Sequence, residues 1–432
     1  MAGEWNELPF SEAVLLNPAT SLARGSVYPF VEMSAITAGA REVKCSEHRE
    51  FTGGSSRFQD RDTLMARITP CLENGKLARF QAPEGEPVGH GSTEFIVIRG
   101  RPNVTDNDYA YYLTISHEVR SFAISQMTGT SGRQRVPTDA LGGIAVSVPP
   151  LTEQKAIAAV LGALDDKIEL SRRMNATLEA MARALFQSWF VDFDPVRAKL
   201  DGRPPAALDP ATAALFPEHL EESTLGHIPK GWEGAELGQI AHVIDCLHAK
   251  KPERCDAGQL YLQLNNIRDD GLIDITDSFF VGAEDYQKWI SRMEAVAGDC
   301  VITNVGRVGA VGQIPEGVKA ALGRNITGIR CKAEFPFPTF LIECLVSESM
   351  REEIRLKTDS GTILDALNVK SIPKLRFVRP TREIGARFEE LTRPVRRRME
   401  QNISESRTLA TLRDTLLPKL LSGELSVTEL QN

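Results

Sequence analysis

The residues best suited to chemistry in this sequence are arginines, lysines and amides in turn-rich loops, and no clustered catalytic set accompanies them. Arg133, Gln134 and Arg135 follow the glycines of "GTSG" within 119–138, a stretch without an acidic side chain. A guanidinium donates a pair of hydrogen bonds that matches a guanine edge, and a glutamine amide matches adenine. The pattern therefore indicates contact with nucleic acid, and an ordinary solvated turn is the alternative interpretation.

A second set of candidates lies earlier in the chain. The segment "RDTLMARITP" (61–70) carries Arg67, and "CLENGKLA" (71–78) places Asn74 and Lys76 in a tight turn after an apolar run. Asparagine followed by glycine is also the ordinary chemistry of such turns. Contact with DNA and turn formation alone therefore both remain open for this segment.

The second half of the chain contains the largest local excess of positive charge. Residues 307–332 carry five basic side chains and the single acid Glu316. Such an excess is typical of a DNA-binding surface, and a basic loop facing solvent is the alternative. Lys250 and Lys251 in "HAKKPER" are candidates for phosphate contacts, which position a protein without reading bases. The candidate DNA contacts are then Arg67, Asn74, Lys76, Arg133, Gln134, Arg135, Lys250, Lys251, Arg307, Lys319, Arg324 and Asn325.

Composition and charge narrow the class of protein. The 432 residues are 42% hydrophobic and carry a formal net charge of −8, so we expect a globular protein that does not coat nucleic acid by bulk attraction. Seven scattered cysteines without a CxxC pair, a start unlike a signal peptide and the lack of long apolar runs predict a cytoplasmic protein outside the membrane. The spacing of His242, Cys246, His248 and Cys255 matches no standard zinc site, so no metal is expected.

A long helix is predicted to begin at residue 151 and to end near Phe190. Apolar residues recur there at alternating steps of three and four, with Ser171 and Asn175 as a polar layer. The pattern returns 231 residues later, near the C-terminus. The residues predicted to form a helical spacer and partner-docking surface are Ile157, Leu161, Leu164, Ile168, Leu178, Leu185, Trp189, Val395, Leu409, Leu416 and Leu420.

The chain thus reads as a β-rich block and a helix, followed by a second β-rich block and a second helix. A period of about 230 residues is too long for a solenoid repeat and indicates duplication of a whole domain-plus-helix unit. Residues 193–228 are rich in proline and predict a surface connector with at most one short helix. The predicted segments are a first β-rich domain (1–150), a first helix (151–192), the connector (193–228), a second β-rich domain (229–379), and a second helix with the C-terminal tail (380–432).

The sequence resembles the DNA-specificity subunits of type I restriction–modification enzymes. The segments that carry the resemblance are "TLMARITPCLENGKLA" (63–78), the stretch from "PPLTEQ" to "FDPV" (149–196), "LGHIPKGW" (225–232) and "LRDTLLPKLLSGEL" (412–425). Two departures stand out. Arg61 occupies a position where the family usually has glycine, and the second helix lacks the Glu153–Gln154 pair of the first.

The resemblance implies an α+β fold with two β-rich target-recognition domains, each followed by a long helix, and the two helices packed as an antiparallel coiled-coil spacer with pseudo-twofold symmetry. It implies a non-catalytic subunit that reads a bipartite, asymmetric target in double-stranded DNA and docks two methyltransferase subunits and endonuclease–translocase subunits. S-adenosylmethionine, ATP and Mg²⁺ are then expected only on those partners. An orphan specificity subunit that serves only a methyltransferase and an unrecognised two-domain nuclease are the alternatives.

Overall fold

The computed structural model describes residues 5–130, 132–276, 278–359 and 365–429. The chain divides into two compact units. One unit contains Met1–Leu170 and Ser406–Asn432, and the other contains Ser171–Glu405. We call them the first and second unit.

The first domain is built from two sheets and a strand pair. A five-stranded sheet has the order β2-β10-β7-β8-β4, a four-stranded sheet has the order β5-β3-β9-β6, and β1 pairs antiparallel with β11. Strands β7 and β8 are buried along their whole length, as expected for a continuous apolar run inside a sheet. The elements are β1 (Asn6–Pro9), α1 (Phe10–Ala13), β2 (Val14–Leu16), β3 (Val27–Val31), β4 (Glu42–Val43), β5 (Glu47–Glu50), β6 (Ser56–Gln59), β7 (Thr63–Ala66), β8 (Leu77–Phe80), β9 (Val88–Gly91), β10 (Phe95–Gly100), α2 (Asn107–Ile115), α3 (His117–Ser125), α4 (Thr138–Gly142) and β11 (Ala145–Val148).

The first long helix and the connector follow this domain. Helix α5 (Leu151–Phe190) ends at the residue that the sequence predicts. The connector differs from the prediction, because it contains two helices and a hairpin, and its Phe193, Val196 and Phe216 are buried in the core of the second unit. These side chains are large and apolar, so their removal from water stabilises the fold. The connector therefore packs into the core and does not cross the surface. The elements are α6 (Asp194–Leu200), α7 (Pro210–Leu215), β12 (Leu220–Ser223) and β13 (Gly226–Pro229).

The second domain repeats the sheet topology of the first, except that its described residues contain no strand equivalent to β4. Its sheets have the orders β15-β22-β19-β20 and β17-β16-β21-β18, and β14 pairs with β25. The central pair of the second sheet is parallel in both domains. The elements are β14 (Glu233–Glu236), α8 (Leu237–Ile240), β15 (Ala241–Ile244), β16 (Gln259–Leu262), β17 (Phe280–Val281), α9 (Ala283–Trp289), β18 (Glu294–Ala295), β19 (Cys300–Thr303), β20 (Val311–Gln313), β21 (Ala320–Leu322), β22 (Ile326–Cys331), α10 (Pro338–Val346), α11 (Glu348–Leu356), β23 (Thr358–Asp359), β24 (Ala366–Leu367), β25 (Arg376–Arg379) and the second long helix, α12 (Arg382–Leu421).

The turn before β7 keeps its backbone despite the departure at Arg61. Arg61 has a φ of +66°, and Gly298 at the matching turn before β19 has a φ of +87°. Both angles lie in the left-handed region, which glycine enters without the steric cost that a β-carbon brings. The arginine is therefore retained in a strained conformation, and its guanidinium pairs with Asp108.

The long helices pack against each other within each unit. In the first unit, Arg413 of α12 donates to Asp165 of α5 at 2.7 Å. In the second unit, Asn402 donates to the Asn175 side chain at 2.7 Å, and Asn175 donates to the Met399 carbonyl at 3.0 Å. This contact places the predicted polar residue Asn175 opposite the amide of Asn402, where each amide gains a partner that an apolar neighbour could not supply.

The predicted spacer residues divide into buried and half-buried positions. Two further residues, Met181 and Leu412, are 57% and 45% exposed at equivalent points of the two helices. No helix in the described ranges is both long enough and apolar enough to cross a membrane. The buried residues are Ile157, Leu161, Ile168, Trp189 and Leu420, and the half-buried ones are Leu164, Leu178, Leu185, Val395, Leu409 and Leu416.

Candidate nucleic-acid interface

The first candidate surface forms where two loops of the first domain pair. Val136 donates its backbone N–H to the Arg67 carbonyl at 2.9 Å, and Thr69 donates to the Gln134 carbonyl at 3.0 Å. An isolated bridge also joins the residue after Arg67 to Arg135. The structure therefore brings Arg67, Gln134 and Arg135 together on one surface.

The guanidinium of Arg135 is held by a carboxylate from another part of the domain. Its Nη2 and Nε donate to Glu94 at 2.6 and 2.9 Å. The hydrogen bond lowers the pKa of the Glu94 carboxyl and raises the pKa of Arg135. The ion pair thus fixes the direction of Arg135, and Arg133 nearby is exposed. Sequence reasoning missed Glu94, because no local signal relates it to this loop.

Asn74 and Lys76 lie on a tight turn, as predicted. The Asn74 N–H donates to the Pro70 carbonyl at 2.9 Å, and Gly75 has a φ of +73°. The Lys76 ammonium donates to the Met33 carbonyl at 2.8 Å, while the Asn74 side chain is exposed. Lys76 therefore anchors the turn, and Asn74 stays accessible to a ligand.

The matching loop of the second domain follows β19. Leu367 donates its N–H to the Asn304 carbonyl at 2.9 Å, which repeats the loop pairing of the first domain. Arg307 in this loop donates to the Ile267 carbonyl at 2.6 Å and pairs with Asp269. Arg307 is consequently tied to the neighbouring segment, with its guanidinium at the surface.

A groove of about 590 Å³ in the second unit gathers four arginines. Its walls include Arg268 and Arg307 together with Arg351 and Arg355 of α11. The two helix residues are four positions apart and so lie on one face. Asp269 also lines the groove, so its charge is mixed. Sequence reasoning missed Arg351 and Arg355, and their helical spacing was the available signal.

Most of the basic residues between 307 and 332 meet acids from other segments. Arg330 donates to Asp299 at 2.7 and 2.5 Å, and the Lys319 ammonium lies 3.6 Å from Glu294. The charge excess that the sequence shows along this range is therefore largely balanced in space. The ion pairs reduce the local excess of charge that the sequence indicates, and contact of this range with DNA stays a prediction.

The remaining candidates lie at loops of the second domain. Arg324 and Lys250 are exposed. Asn325 takes a φ of +64°, a conformation that asparagine tolerates better than most residues. The Lys251 ammonium donates to the Gln263 side chain at 2.8 Å. Both lysines are therefore exposed, and Lys251 is held by a hydrogen bond.

Comparisons with known proteins found a matching family model and similar sequences. The family model described as "Type I restriction modification DNA specificity domain" matches residues 22–180. The chain is similar to the type I restriction enzyme HindI specificity subunit of Haemophilus influenzae, with 27% identity over 378 residues that cover 77% of this chain and 81% of the relative. It is also similar to the MjaIX specificity subunit of Methanocaldococcus jannaschii, with 24% identity covering 75% and 70% of the two chains.

The chain is thus similar to type I restriction–modification specificity subunits over most of its length. The fold agrees, because the crystal structure of the S subunit from M. genitalium matches with a TM-score of 0.51 and 15% identity over 97% of this chain and 96% of that one. The predicted α+β fold, with two β-rich domains and two long helices that pack together, is confirmed.

One group of potential metal ligands occurs among the described residues of this chain. Asp245, Cys246 and His248 place their ligand atoms within 4.8 Å of one another. His248 hydrogen-bonds to Asp245 at 2.7 Å, and Arg292 lies 3.6 Å from the same carboxylate. Burial raises the pKa of the Cys246 thiol. A neighbouring cation and a protonated thiol both oppose metal binding, and the other two residues of the spacing considered above are not in the group.

Proposed function

We propose that this chain is the non-catalytic DNA-specificity subunit of a type I restriction–modification system and reads a bipartite, asymmetric target. The observation that carries the proposal is the duplication of a complete domain topology with different loop residues. Two copies of one fold support the reading of two short half-sites, and different loops support different sequences. The first domain (1–150) reads one half-site and the second domain (229–379) reads the other.

The base and phosphate contacts come from the loops that pair in each domain. Arg133, Gln134 and Arg135 form the reading loop of the first domain, where the ion pair with Glu94 supports a fixed guanidinium geometry. In the second domain, the arginine groove adds Arg351 and Arg355 to Arg307. The rest of the twelve residues predicted from the sequence supply phosphate contacts or hold these loops.

The long helices dock the other subunits of the complex. The equivalent exposure of Met181 and Leu412 supports two similar apolar contacts, one for each of two methyltransferase subunits. Endonuclease–translocase subunits complete the assembly in the cytoplasm, and S-adenosylmethionine, ATP and Mg²⁺ belong to the partner subunits. Met181→Asp with Leu412→Asp should reduce co-purification of the methyltransferase subunit without unfolding the chain. Unchanged co-purification would refute this docking site.

A domain replacement tests the reading of two half-sites. Residues 1–150 are exchanged for the equivalent block of another type I specificity subunit, and methylome sequencing of the host reports the modified target. We expect one half of the target to change and the other half to remain. The matched exchange of residues 229–379 should change the opposite half. A change in both halves, or in neither, would contradict two independent readers.

A further inference from the structure

The long helices contact their domains through equivalent positions that differ in chemistry. Helix α12 begins 231 residues after α5, so positions 154, 158 and 165 correspond to 385, 389 and 396, and all six residues are buried. We call Gln154, Ala158 and Asp165, with the first-domain residues beside them, the first joint. The second joint is Gly385, Glu389 and Arg396, with the second-domain residues beside them.

The two joints differ in how a helix of the adjoining domain is capped. This helix is α2, after β10, in the first domain and α10, after β22, in the second. In the first joint, Asp106 accepts hydrogen bonds from the N–H groups of Asp108 and Tyr109 at 3.0 and 3.2 Å, so the domain caps its own helix α2. At the position equivalent to Glu389, the long helix carries the buried Ala158, whose methyl group cannot accept a hydrogen bond. The capping carboxylate thus belongs to the domain.

The second joint takes its cap from the long helix. Phe337 occupies the cap position of α10 and offers no side-chain acceptor. Glu389 of α12 accepts instead from the Thr339 N–H at 2.8 Å, from the Thr339 hydroxyl at 2.9 Å and from the Phe340 N–H at 3.3 Å. Burial raises the pKa of this carboxyl. The second domain therefore depends on a carboxylate that the first joint lacks.

A glutamine and a glycine fill the same place in the two joints. The Gln154 amide accepts from the Asp106 N–H at 2.8 Å and donates to the carbonyls of Val104 and Pro149 at 2.8 and 2.7 Å. At Gly385, a β-carbon would meet the Phe337 ring at 2.9 Å. The first joint is closed by hydrogen bonds, and the second is closed by a ring packed on bare backbone.

The acidic side chain of the buried charged contact also lies on a different element in each joint. In the first joint, the domain offers the Tyr112 hydroxyl, which donates to the Asp165 carboxylate of the long helix at 2.7 Å. Arg413 donates to the other oxygen of Asp165. In the second joint, the domain offers the carboxylate of Glu343, and Arg396 of the long helix lies 3.8 Å from it. The acid lies on the helix in one joint and on the domain in the other.

We propose that each joint accepts only its own class of target-recognition domain, so that the two domains cannot exchange positions in this chain. The second domain on the first joint would set Glu343 against Asp165 and leave α10 without its cap. The first domain on the second joint would leave Arg396 without an acid. A domain placed on the wrong joint would bury a charge beside a like charge or without a partner. Both arrangements are unfavourable because a buried charge loses its hydration, even if the wrong domain covers as much surface area as the right one. The inference concerns assembly and does not depend on the proposed reading of DNA.

Two full-length chimeras test the specificity of the joints. Residues 6–148 are replaced by a second copy of 233–379 in both chimeras. One chimera also carries substitutions that give the first joint the chemistry of the second, with alanine at position 413 because Ala182 is its equivalent. These substitutions are Gln154→Gly, Ala158→Glu, Asp165→Arg and Arg413→Ala.

Soluble yield, thermal unfolding and resistance to protease are the readouts. We expect the chimera with the converted joint to fold and the unconverted chimera to be insoluble or to unfold at a clearly lower temperature. The four substitutions in the natural chain should lower its unfolding temperature. Equal stability of the two chimeras, or a natural chain that tolerates all four substitutions, would overturn the proposal.

A smaller set of variants decides the matter if both chimeras misfold. Tyr112→Glu alone and the pair Asp165→Arg with Arg413→Ala should each lower the unfolding temperature of the full chain. All three substitutions together should recover part of either loss, because they recreate the Glu343–Arg396 arrangement. Additive losses in the triple variant would show that the site responds to packing alone and would refute the proposal.

Discussion

Each of the two domains contains an equivalent ion pair between a buried aspartate and an arginine. In the first domain, the Asp62 carboxylate accepts from Arg99 at 2.6 and 2.7 Å and from the Gln59 N–H at 2.8 Å. In the second domain, the Asp299 carboxylate accepts from Arg330 at 2.7 and 2.5 Å and likewise from a backbone N–H at 2.8 Å. The duplicated sheet thus keeps both the charge and the turn that supports it.

The contacts between each domain and the long helices show the opposite behaviour. Equivalent positions of the two long helices are buried in both units, but the acid, the base and the helix cap lie on different elements. A pair inside one sheet is retained as a unit, because replacing the arginine leaves a buried carboxylate without its partner. A pair across a joint has two members on separable elements, and both members can change together in one copy without consequence for the other.

The largest expected effect comes from removing one member of the second joint's ion pair. Arg396→Met leaves the buried Glu343 without its cation, and we expect a loss of about 3–5 kcal/mol in the free energy of unfolding at neutral pH. Burial already holds the pKa of Glu343 above its ordinary value. When a carboxyl has a raised pKa in the folded state, the protein becomes less stable as pH rises through that pKa. The stability lost in Arg396→Met should therefore be smaller in mild acid. Urea unfolding at both pH values measures it.

Arg397→Met is the matched control for this prediction. Arg397 is half exposed and pairs with the exposed Glu316 at 3.1 Å. An exposed pair contributes about 0–1 kcal/mol, so this neighbour should change little. Equal effects of the two substitutions, or an Arg396→Met loss that grows in acid, would contradict the account of the second joint.

Alanine substitution at equivalent positions of the two long helices should lower the free energy of unfolding in proportion to the burial of the replaced side chain. Leu420 is fully buried and Trp189, its equivalent on α5, is 1% exposed. We expect Leu420→Ala to cost about 2–5 kcal/mol and Trp189→Ala about 3–5 kcal/mol, because each leaves a cavity. The exposed Leu412 is the control, and its alanine variant should stay within about 0.5 kcal/mol. Thermal and urea unfolding report the values, and a Leu412→Ala loss as large as that of Leu420→Ala would contradict the shared burial pattern.

The smallest expected effect lies at Arg135, in the loop proposed to read DNA in the first domain. Arg135→Ala removes the hydrogen bond that lowers the pKa of Glu94, so that pKa should rise toward its ordinary value. Because a lowered folded pKa contributes stability that is lost as pH falls through it, the variant should show less acid sensitivity in this loop. An NMR titration of the Glu94 carboxyl measures the shift, with Arg133→Ala as the control. An unchanged Glu94 pKa in the Arg135→Ala variant would show that the ion pair is not formed in solution.

Local pattern in the sequence determined the elements and their duplication. The heptad run predicted a helix ending at Phe190, and α5 ends there. Gly423 lies just beyond the end of α12 at Leu421 and has a φ of +73°, a conformation that glycine adopts without steric cost. The apolar run "EFIVIRG" contains β10. These features depend on residues close together in the chain, and periodicity records them directly.

Only the tertiary structure decided which charges are free and which residues close the joints. Glu94 holds Arg135, and Asp299 holds Arg330, across separations that no local pattern connects. The connector, predicted to cross the surface, buries Phe216 because Trp189 and Trp232 lie beside it in the fold. A carboxylate or a ring has no defined partner in a linear sequence. Its electrostatic energy and burial depend on distances that exist only once the chain has folded.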